Sequence, residues 1–464
     1  MMCDSRKDLS YEMARGLDWA VIVRIMNETD IDVIEVLNNT NPDAKEEFLT
    51  NKELSKPHNI YGQLDIKQVE QNIDTIISLQ KELELYKIPE KKRLLADLVL
   101  ESNLKKNRFV QANYLYTHSS PDGREAAARE HKKANIALYG EPDEDVFWSV
   151  LGEKLSAIPV DSLSKEDKIM YDELLEMLGP LHTAKGRVFR PGKETMDWFS
   201  YVLEQFYAGF LAHIPQKQQV FSIEEACAIT NEIIASELGE VPGADISPMG
   251  ADIAPDLDPA EWKATVIPTG AVASVDCKYK TIKFPGRRSR GAYTREELIA
   301  IIIHELGVHA LRSLVYEDCE MKAFSLGLPG YEAFEEGVAK AADQAINHKY
   351  EDFGLLHYVS IGLATFLGKN FREAFEIQVR IEYLVGGEPA GRCFDSVQRT
   401  FRGTGELPNH KDLIYYNGAT QVWKYIEEHL DDVELMDQLF LSGKTNMNDK
   451  RHERMIYEVR VGGY

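Results

Sequence analysis

Residues 301–309 read IIIHELGVH, and the organisation of the whole chain follows from this stretch. Shortly before it, Thr294 and Glu297 have the spacing of a capping box, in which each side chain bonds to the backbone amide of the other residue. The spacing predicts a helix that begins at about residue 295. Apolar residues that such a helix would turn towards a core follow at Leu298, Ile299, Ile301, Ile302 and Leu306.

Two histidines and a glutamate stand inside this apolar run. In the HExxH pattern, two histidines one helical turn apart bind zinc, and the glutamate after the first acts as general base. Here the second histidine comes one position later, which gives HExxxH. On a regular α-helix His304 and His309 would be rotated by about 140° from each other and could not share a metal ion. We therefore predict a π-bulge close to Gly307, a poor helix former.

A zinc site of this kind needs a third protein ligand. A second predicted helix begins after Pro329-Gly330 and offers the carboxylates of Glu332, Glu335 and Glu336. The chain between the two motifs is long enough to turn and lay this helix against the first. One of the three glutamates would complete a set of two histidines and one glutamate. The alternative is a structural helix with two histidines, followed by a helix with a solvated acidic face.

Several motifs resemble those of one known family. HELGVHALR, at 304–312, resembles the HExGxHxLR signature of the microtubule-associated tyrosine carboxypeptidase (MATCAP) family, whose bacterial members are called flavohaemoglobin expression-modulating QEGLA-motif proteins. GLPG at 327–330 and EEGVA at 335–339 resemble the family's GLPG and QEGLA segments, with Glu335 and Val338 in place of Gln and Leu. KDLIYYNG at 411–418 resembles its KDxxYxxG element. The resemblance is densest from residue 265 to residue 420.

The resemblance implies a zinc metallopeptidase, specifically a carboxypeptidase that removes a C-terminal residue from a peptide or protein tail. It implies zinc bound by His304, His309 and Glu336, with Glu305 as general base. Arg312, close after the second histidine, is expected to pair with a ligand carboxylate and so to hold it in place.

Residues in the flanking loops are candidates for substrate binding. Tyr415 could donate a hydrogen bond to the developing oxyanion, and Arg402 or Lys411 could bind a substrate carboxylate. Arg288 belongs to a basic stretch, 278–290, which contains no acid although the chain as a whole is acidic. Such a basic rim beside a cleft would attract a C-terminal carboxylate. Alternatively, these bases balance acids of the helical half or solvate and protect the edge of a strand.

The remaining sequence indicates the fold class. Helical periodicity dominates residues 65–239, and a run rich in Gly, Pro and Asp follows up to residue 260. Residues 265–267 and 280–284 are predicted strands, with Val275 and Cys277 as a candidate extension of the second. We predict a mainly α (α+β) protein. Its parts would be an N-terminal extension at 1–60, a helical scaffold at 61–245, and a zincin-like metallopeptidase domain with a small edge sheet and a zinc helix at 246–464.

Composition limits the partners. The chain has 76 acidic and 53 basic residues and a net charge of −23, which argues against a nucleic-acid partner. Its five cysteines form no CxxC pair, as is typical of reduced thiols in a cytosolic protein. The first residues lack the apolar core of a signal peptide, and no apolar run approaches the length of a membrane helix. We therefore expect a cytoplasmic protein without a membrane partner. The oligomeric state is not indicated.

Two other functions fit the same residues. Dipeptidyl-peptidases of the HELLGH type also combine HExxxH with a downstream glutamate motif. A basic group that binds the peptide C-terminus would favour a carboxypeptidase, whereas an acidic clamp for the N-terminal amine would favour a dipeptidyl-peptidase. The third possibility is a metal-stabilised regulatory or binding protein without turnover, as the name of the bacterial proteins suggests.

Overall fold

The computed structural model describes residues 19–62, 64–86, 88–182, 188–238, 261–268, 272–286, 291–317, 323–432 and 434–461. Helices make up most of these residues and the strands are short, which confirms the predicted mainly α class with a small sheet. Among the described helices, none combines the length and the apolar character needed to cross a membrane. Three described cysteines, Cys227, Cys277 and Cys393, are free thiols.

The described α-helices in the first part of the chain are α1 Trp19–Glu28, α2 Val33–Leu37, α3 Ala44–Thr50, α4 Ile66–Leu83, α5 Glu90–Thr117, α6 Arg124–Tyr139, α7 Glu144–Ser156, α8 Lys165–Leu178, α9 Lys193–Phe206, α10 Ala208–Ala212 and α11 Ile223–Ser236. Those in the second part are α12 Arg295–Ile301, α13 Leu311–Leu314, α14 Ala323–Leu326, α15 Glu332–Ile346, α16 Leu355–Phe366, α17 Phe371–Val385, α18 Ala390–Thr400, α19 Leu413–Glu428 and α20 Lys450–Val461. Two π-helices, Ile302–Ala310 and Asp437–Leu441, and two 3₁₀ turns, Pro121–Gly123 and Val160–Ser162, complete the described helical elements.

The chain divides into two compact units, each built from two separate stretches. The first unit comprises Met1–Val188 and Gly354–Leu413, and the second comprises Phe189–Phe353 and Ile414–Tyr464. The boundary predicted near residue 245 lies outside the described residues. The three-part division of the chain stays a prediction.

The described part of the first unit contains helices and loops and no strand. One of its apolar clusters joins α1, α4 and α5 through residues such as Ile22, Ile76 and Leu100. Helix α4 begins at a cap in which the Asp65 carboxylate accepts from the backbone amides of Lys67 and Gln68. A cap of this kind satisfies amides that have no partner inside the helix, which fixes where the helix starts.

The second unit contains the described strands, which form two small sheets. In the first sheet, β1 Val220–Ser222 pairs antiparallel with β5 Ala292–Thr294. In the second, the central β4 Thr281–Pro285 pairs in parallel with β2 Lys263–Ile267 and antiparallel with β3 Ser274–Asp276. The two predicted strands are therefore present. Val275 does not extend β4 but lies in β3, because the chain turns back between them and places it opposite Ile282.

Capping boxes connect the strands of the first sheet to helices. Ser222 ends β1 and caps α11 together with Glu225, and Thr294 ends β5 and caps α12 together with Glu297. Helix α12 continues directly into the π-helix Ile302–Ala310. The core of the unit forms around this continuous segment, with Ile303, Leu306 and Val308 fully buried. The strand thus fixes the start of the helix that carries the two histidines.

Candidate metal centre

His304 and His309 lie on the π-helix Ile302–Ala310, which is nine residues long. In a π-helix each backbone hydrogen bond spans five residues, so that side chains five positions apart come onto the same face. The centroids of the two imidazole rings are accordingly only 5.0 Å apart. The bulge predicted from the HExxxH spacing is confirmed, and it extends over the whole motif.

Tyr207, directly after α9, packs against the middle of the π-helix. Its hydroxyl donates a hydrogen bond of 2.7 Å to the carbonyl oxygen of Gly307. A β-carbon at Gly307 would lie 2.9 Å from the ring of Tyr207, closer than carbon atoms normally approach. Glycine is therefore required here by the close approach of the tyrosine ring, and the hydrogen bond satisfies a buried carbonyl of the widened helix.

Glu336 on α15 completes the set of candidate ligands. One ligand atom from each of His304, His309 and Glu336 lies within 4.8 Å of the other two. The position of α15 is fixed partly by close helix packing, because a β-carbon at Gly337 would collide with the backbone carbonyl of Gly418 on α19. Two imidazoles and one carboxylate, gathered from two helices, suit a tetrahedral zinc site that leaves one position for water or substrate.

Residues of helix α15 also form hydrogen bonds with the rings of both histidines. The Nδ1 atom of His309 lies 2.8 Å from Oε1 of Glu335. The ring of His304 hydrogen-bonds to the backbone carbonyl of Ala339. Bonds of this type fix the tautomer and the orientation of metal-binding histidines. One nitrogen of each imidazole is therefore engaged by a hydrogen bond to α15, which orients the ring. The other nitrogen is left for the candidate metal position.

Two buried cations hold Glu335 in turn. The Nε atom of Arg312 donates to Oε2 of Glu335 over 3.1 Å, and the ammonium of Lys444 forms an ion pair with Oε1. Arg312 also donates to the backbone carbonyls of Leu439 and Thr445. The expected partner of Arg312 thus needs correction. It pairs with the carboxylate beside the candidate ligand Glu336, because Glu335 points behind His309.

Burial and these charges set the protonation states of the site. Burial lowers the pKa of His304 well below its usual range, and the charge of His309 lowers it further, so His304 is neutral as a metal ligand must be. Burial alone would lower the pKa of His309, but the hydrogen bond and charge of Glu335 outweigh it and raise that pKa. Burial alone would likewise raise the pKa of Glu335, but Lys444, His309 and Arg312 hold it well below its usual range. Glu335 is therefore a permanent anion.

Glu305 faces the same space as the candidate ligands. Burial raises the pKa of its carboxyl to about 7, against the opposing charge of His309. The backbone amide of Val275 in β3 hydrogen-bonds to the carboxyl group. A carboxylate whose pKa lies near neutrality can both accept and return a proton at physiological pH.

Two cavities of the second unit adjoin the candidate ligands, and His304 and Glu305 line both. The first, of about 680 Å³, is also lined by Lys340 and is called the Lys340 cavity below. The second, of about 570 Å³, is lined by His309, Glu336 and Tyr415 and is called the Tyr415 cavity. Both are of the size of small-molecule and peptide side-chain pockets. Both cavities therefore reach His304 and Glu305, and the Tyr415 cavity also reaches the other two candidate ligands.

Of the predicted substrate-binding and oxyanion-binding residues, only some lie in the same unit as the candidate ligands. Tyr415 lines the Tyr415 cavity, and its ring packs edge-on against Phe353 with 5.4 Å between centroids. Arg402 and Lys411 belong to the first unit, whereas the candidate ligands belong to the second. Arg288 lies outside the described residues.

The basic stretch is partly neutralised by ion pairs in its described part. The ammonium of Lys280 lies 2.6 Å from the Glu261 carboxylate and also pairs with Glu317. The ammonium of Lys283 lies 2.7 Å from the carboxylate of Asp276. Two of its lysines thus pair with acids of the same unit, and these acids lie outside the helical half that the alternative explanation named.

Sequence reasoning missed three residues near the metal position. Lys444 and Tyr207 come from distant parts of the chain and carry no local signal of their role. Lys340 could have been noticed, because it follows Glu336 by four residues and so occupies the same face of α15.

Fold and site together define a mainly helical protein with a candidate metal centre of two histidines and one glutamate. Residues 267–460 match the model of the family described as microtubule-associated tyrosine carboxypeptidase. This part of the chain, which is less than half of its length, is similar to the MATCAP family, whose description implies carboxypeptidase, hence peptidase, activity. No curated protein and no solved structure matches the chain.

Proposed function

We propose that this protein is a zinc-dependent carboxypeptidase that removes a C-terminal residue from a peptide or protein tail. The observation that carries the proposal is the convergence of His304, His309 and Glu336 within 4.8 Å, beside the buried carboxyl of Glu305. The family match supports the choice of a carboxypeptidase among metal-dependent hydrolases.

In this proposal His304, His309 and Glu336 hold the zinc ion. When bound, zinc would act as a Lewis acid that polarises the scissile carbonyl and makes a water molecule more acidic. Two imidazole nitrogens and one carboxylate oxygen suit a divalent cation. Because zinc binds imidazole only in its neutral form, its binding would displace the proton that Glu335 favours on His309. The cluster behind His309 keeps that ring aligned.

Glu305 is the proposed general base. Its carboxylate takes the proton of the attacking water and then delivers this proton to the nitrogen of the departing amine. The raised pKa of Glu305, about 7, suits both halves of this transfer. Tyr415 is the proposed hydrogen-bond donor to the oxyanion, because it lines the same cavity as His309 and Glu336. Arg402, Lys411 and Arg288 stay candidate binders of the substrate carboxylate.

The proposed substrate is the C-terminal tail of a protein or a peptide, and tails that end in tyrosine are the first to test because the family is described as tyrosine carboxypeptidases. Acidic residues outnumber the lysines in the lining of the Lys340 cavity, with Glu296, Asp343 and Glu351 among them. We expect this lining to disfavour acidic side chains at the C-terminal position.

Product analysis separates the proposed function from its alternatives. The zinc-loaded protein is incubated with a random peptide pool, and the products are identified by mass spectrometry. Loss of one C-terminal residue is the expected result. Loss of N-terminal dipeptides would indicate a dipeptidyl-peptidase, and an unchanged pool despite bound zinc would indicate a metal-stabilised regulatory or binding protein. Glu305→Gln, loaded with zinc in the same way, is the matched inactive control.

A further inference from the structure

Lys340 lies close to the candidate metal centre and takes no part in it. It follows Glu336 by four residues on α15, so the two side chains share one face of the helix. Its side chain is only 17% exposed. It lines the Lys340 cavity together with His304 and Glu305. A mostly buried cation therefore faces the space in which a substrate must lie.

The ammonium of Lys340 is held in place by two neighbours. Its Nζ atom lies 2.6 Å from Oδ2 of Asp343, and the ring of Phe353 lies below it at 5.4 Å from the centroid. The other carboxylate oxygen of Asp343 accepts from the side-chain amide of Asn347 over 3.1 Å. An ammonium has three donors, so one ion pair leaves it able to bind a second carboxylate. Lys340 is thus a positioned cation and not a freely moving surface lysine.

The spacing along α15 fits a substrate that is anchored by its end. Four residues of an α-helix span about 6 Å, which is the separation of Glu336 and Lys340 along the helix axis. Across a trans peptide bond consecutive Cα atoms are about 3.8 Å apart, and the terminal carboxyl carbon lies one bond further on. A carboxylate bound at Lys340 would therefore leave the last peptide bond of the substrate in the cavity that His304 and Glu305 also line.

We infer that Lys340 binds the terminal α-carboxylate of the substrate and that the Lys340 cavity receives the side chain of the residue to be removed. This inference rests on the proposed carboxypeptidase function and specifies its substrate class, which is a peptide with a free C-terminal carboxylate. Chains whose C-terminus is amidated, and internal peptide bonds, lack the anchoring group. Lys340 is then a determinant of specificity and not a proton-transfer residue.

Two other lysines near the site are less suited to this role. Lys349 also lines the Lys340 cavity, but its side chain is 71% exposed and it pairs with Glu351. Lys444 lines the Tyr415 cavity and is bound to Glu335 behind His309. Lys340 and Lys444 both line a cavity together with Glu305, but the charge of Lys444 balances Glu335 behind His309. Lys340 instead pairs with Asp343, which itself lines the Lys340 cavity.

The test compares two peptides that differ only in a free acid or an amide at the C-terminus. Their affinities are measured by calorimetry on zinc-loaded Glu305→Gln, which is expected to bind without cleaving. We expect the acid to bind about 10- to 100-fold more tightly than the amide. Adding Lys340→Met should abolish this ratio by weakening acid binding alone. Adding Lys349→Met, the matched control from the same cavity, should preserve it.

Affinity for the amide serves as the internal control for folding, because neither lysine substitution should alter it. Lys340→Arg keeps a cation and should keep most of the preference for the acid. The inference is overturned if the Lys340→Met protein still prefers the acid as strongly as its parent does. In that case the wild-type enzyme would still remove C-terminal residues, and the proposed function would stand. A wild-type enzyme that removes no C-terminal residue would overturn both.

Discussion

Two buried polar clusters of this protein, one in each unit, are built from different chemical groups. Inside the first unit, α1, α4 and α5 enclose neutral amides. Asn103 donates to the carbonyl of Met26 over 2.7 Å, Asn107 donates to the carbonyl of Thr29 over 2.9 Å, and Asn72 donates to Asn107 over 3.1 Å. Inside the second unit, the buried cluster behind His309 consists of charged groups, Glu335, Arg312 and Lys444.

This difference indicates where the chemistry lies. Buried amides that find backbone carbonyls connect helices at little electrostatic cost. Burying an anion with two cations costs several kcal/mol per ion in lost hydration, and the ion pairs return this only with good geometry. The second unit accepts that cost where the carboxylate also orients a candidate metal ligand, as is typical of functional sites. The charged cluster is therefore expected to tolerate substitution less well than the amide set does.

Removing the central anion should have the largest effect. Glu335→Gln leaves Arg312 and Lys444 buried beside each other without a counter-charge, and we expect a loss of about 3–5 kcal/mol in the free energy of unfolding. Zinc affinity should fall about 10- to 100-fold, because His309 loses its charged acceptor. Denaturant unfolding and metal titration measure the two effects. The double variant Glu335→Gln/Lys444→Met removes one unpaired cation and should recover part of the stability. A single variant as stable as the wild type would contradict this account of the cluster.

Acid should weaken the first unit through a neutral histidine. Burial, together with the charge of His410, lowers the pKa of His131 to about 4, whereas the unfolded value is about 6.5. Between these values the unfolded chain binds more protons, so stability falls as the pH decreases from about 6.5 to 4, by about 3 kcal/mol in total. Unfolding of His131→Phe should show a shallower pH dependence over this range, measured with denaturant at several pH values. A slope equal to that of the wild type would contradict this prediction.

Breaking the amide set should cost less than breaking the charged cluster. Asn107→Ala removes the donor to Thr29 and the acceptor for Asn72, and we expect a loss of about 1–3 kcal/mol in the free energy of unfolding. Zinc binding should be unchanged, which metal analysis checks on the same sample. If zinc affinity falls in this variant as far as it does in Glu335→Gln, the contrast between the two buried regions is wrong.

The smallest effect on stability is expected from Tyr207, whose hydroxyl bonds to the π-helix. Tyr207→Phe removes the donor to the carbonyl of Gly307 and keeps the ring that packs against it, so we expect a loss of about 1 kcal/mol. A bulkier change, Gly307→Ala, would force the tyrosine ring away and should disturb the spacing of His304 and His309. Zinc affinity that falls for Gly307→Ala and hardly changes for Tyr207→Phe would show that ring packing, more than the hydrogen bond, supports the widened helix. An unaffected Gly307→Ala protein would contradict this.

The local features of the second unit could be predicted from sequence. The distance of five residues between His304 and His309 requires a widened turn if both face one ion, and the π-helix is present. The capping residues Thr294 and Glu297 predicted where the helix begins. Both predictions succeed because they depend on neighbours within one turn of helix.

Long-range features could not be predicted in the same way. The roles of the adjacent residues Glu335 and Glu336 are fixed by groups on other elements, His309, Arg312 and Lys444, and the spacing of the glutamates does not distinguish them. The sequence pattern groups Val275 with β4, because a short apolar run does not reveal that the chain reverses between β3 and β4. Each unit also combines two separate stretches, which no change in composition marks.

The central claim is that one zinc ion is held jointly by the π-helix and α15. The most direct test is the zinc content per chain of five purified proteins: the wild type, His304→Ala, His309→Ala, Glu336→Gln and Glu305→Gln. The account predicts about one zinc per chain in the wild type and in Glu305→Gln, and little or none in the three ligand variants. A wild-type protein without stoichiometric zinc, or a Glu305→Gln protein that has lost it, would contradict the claim.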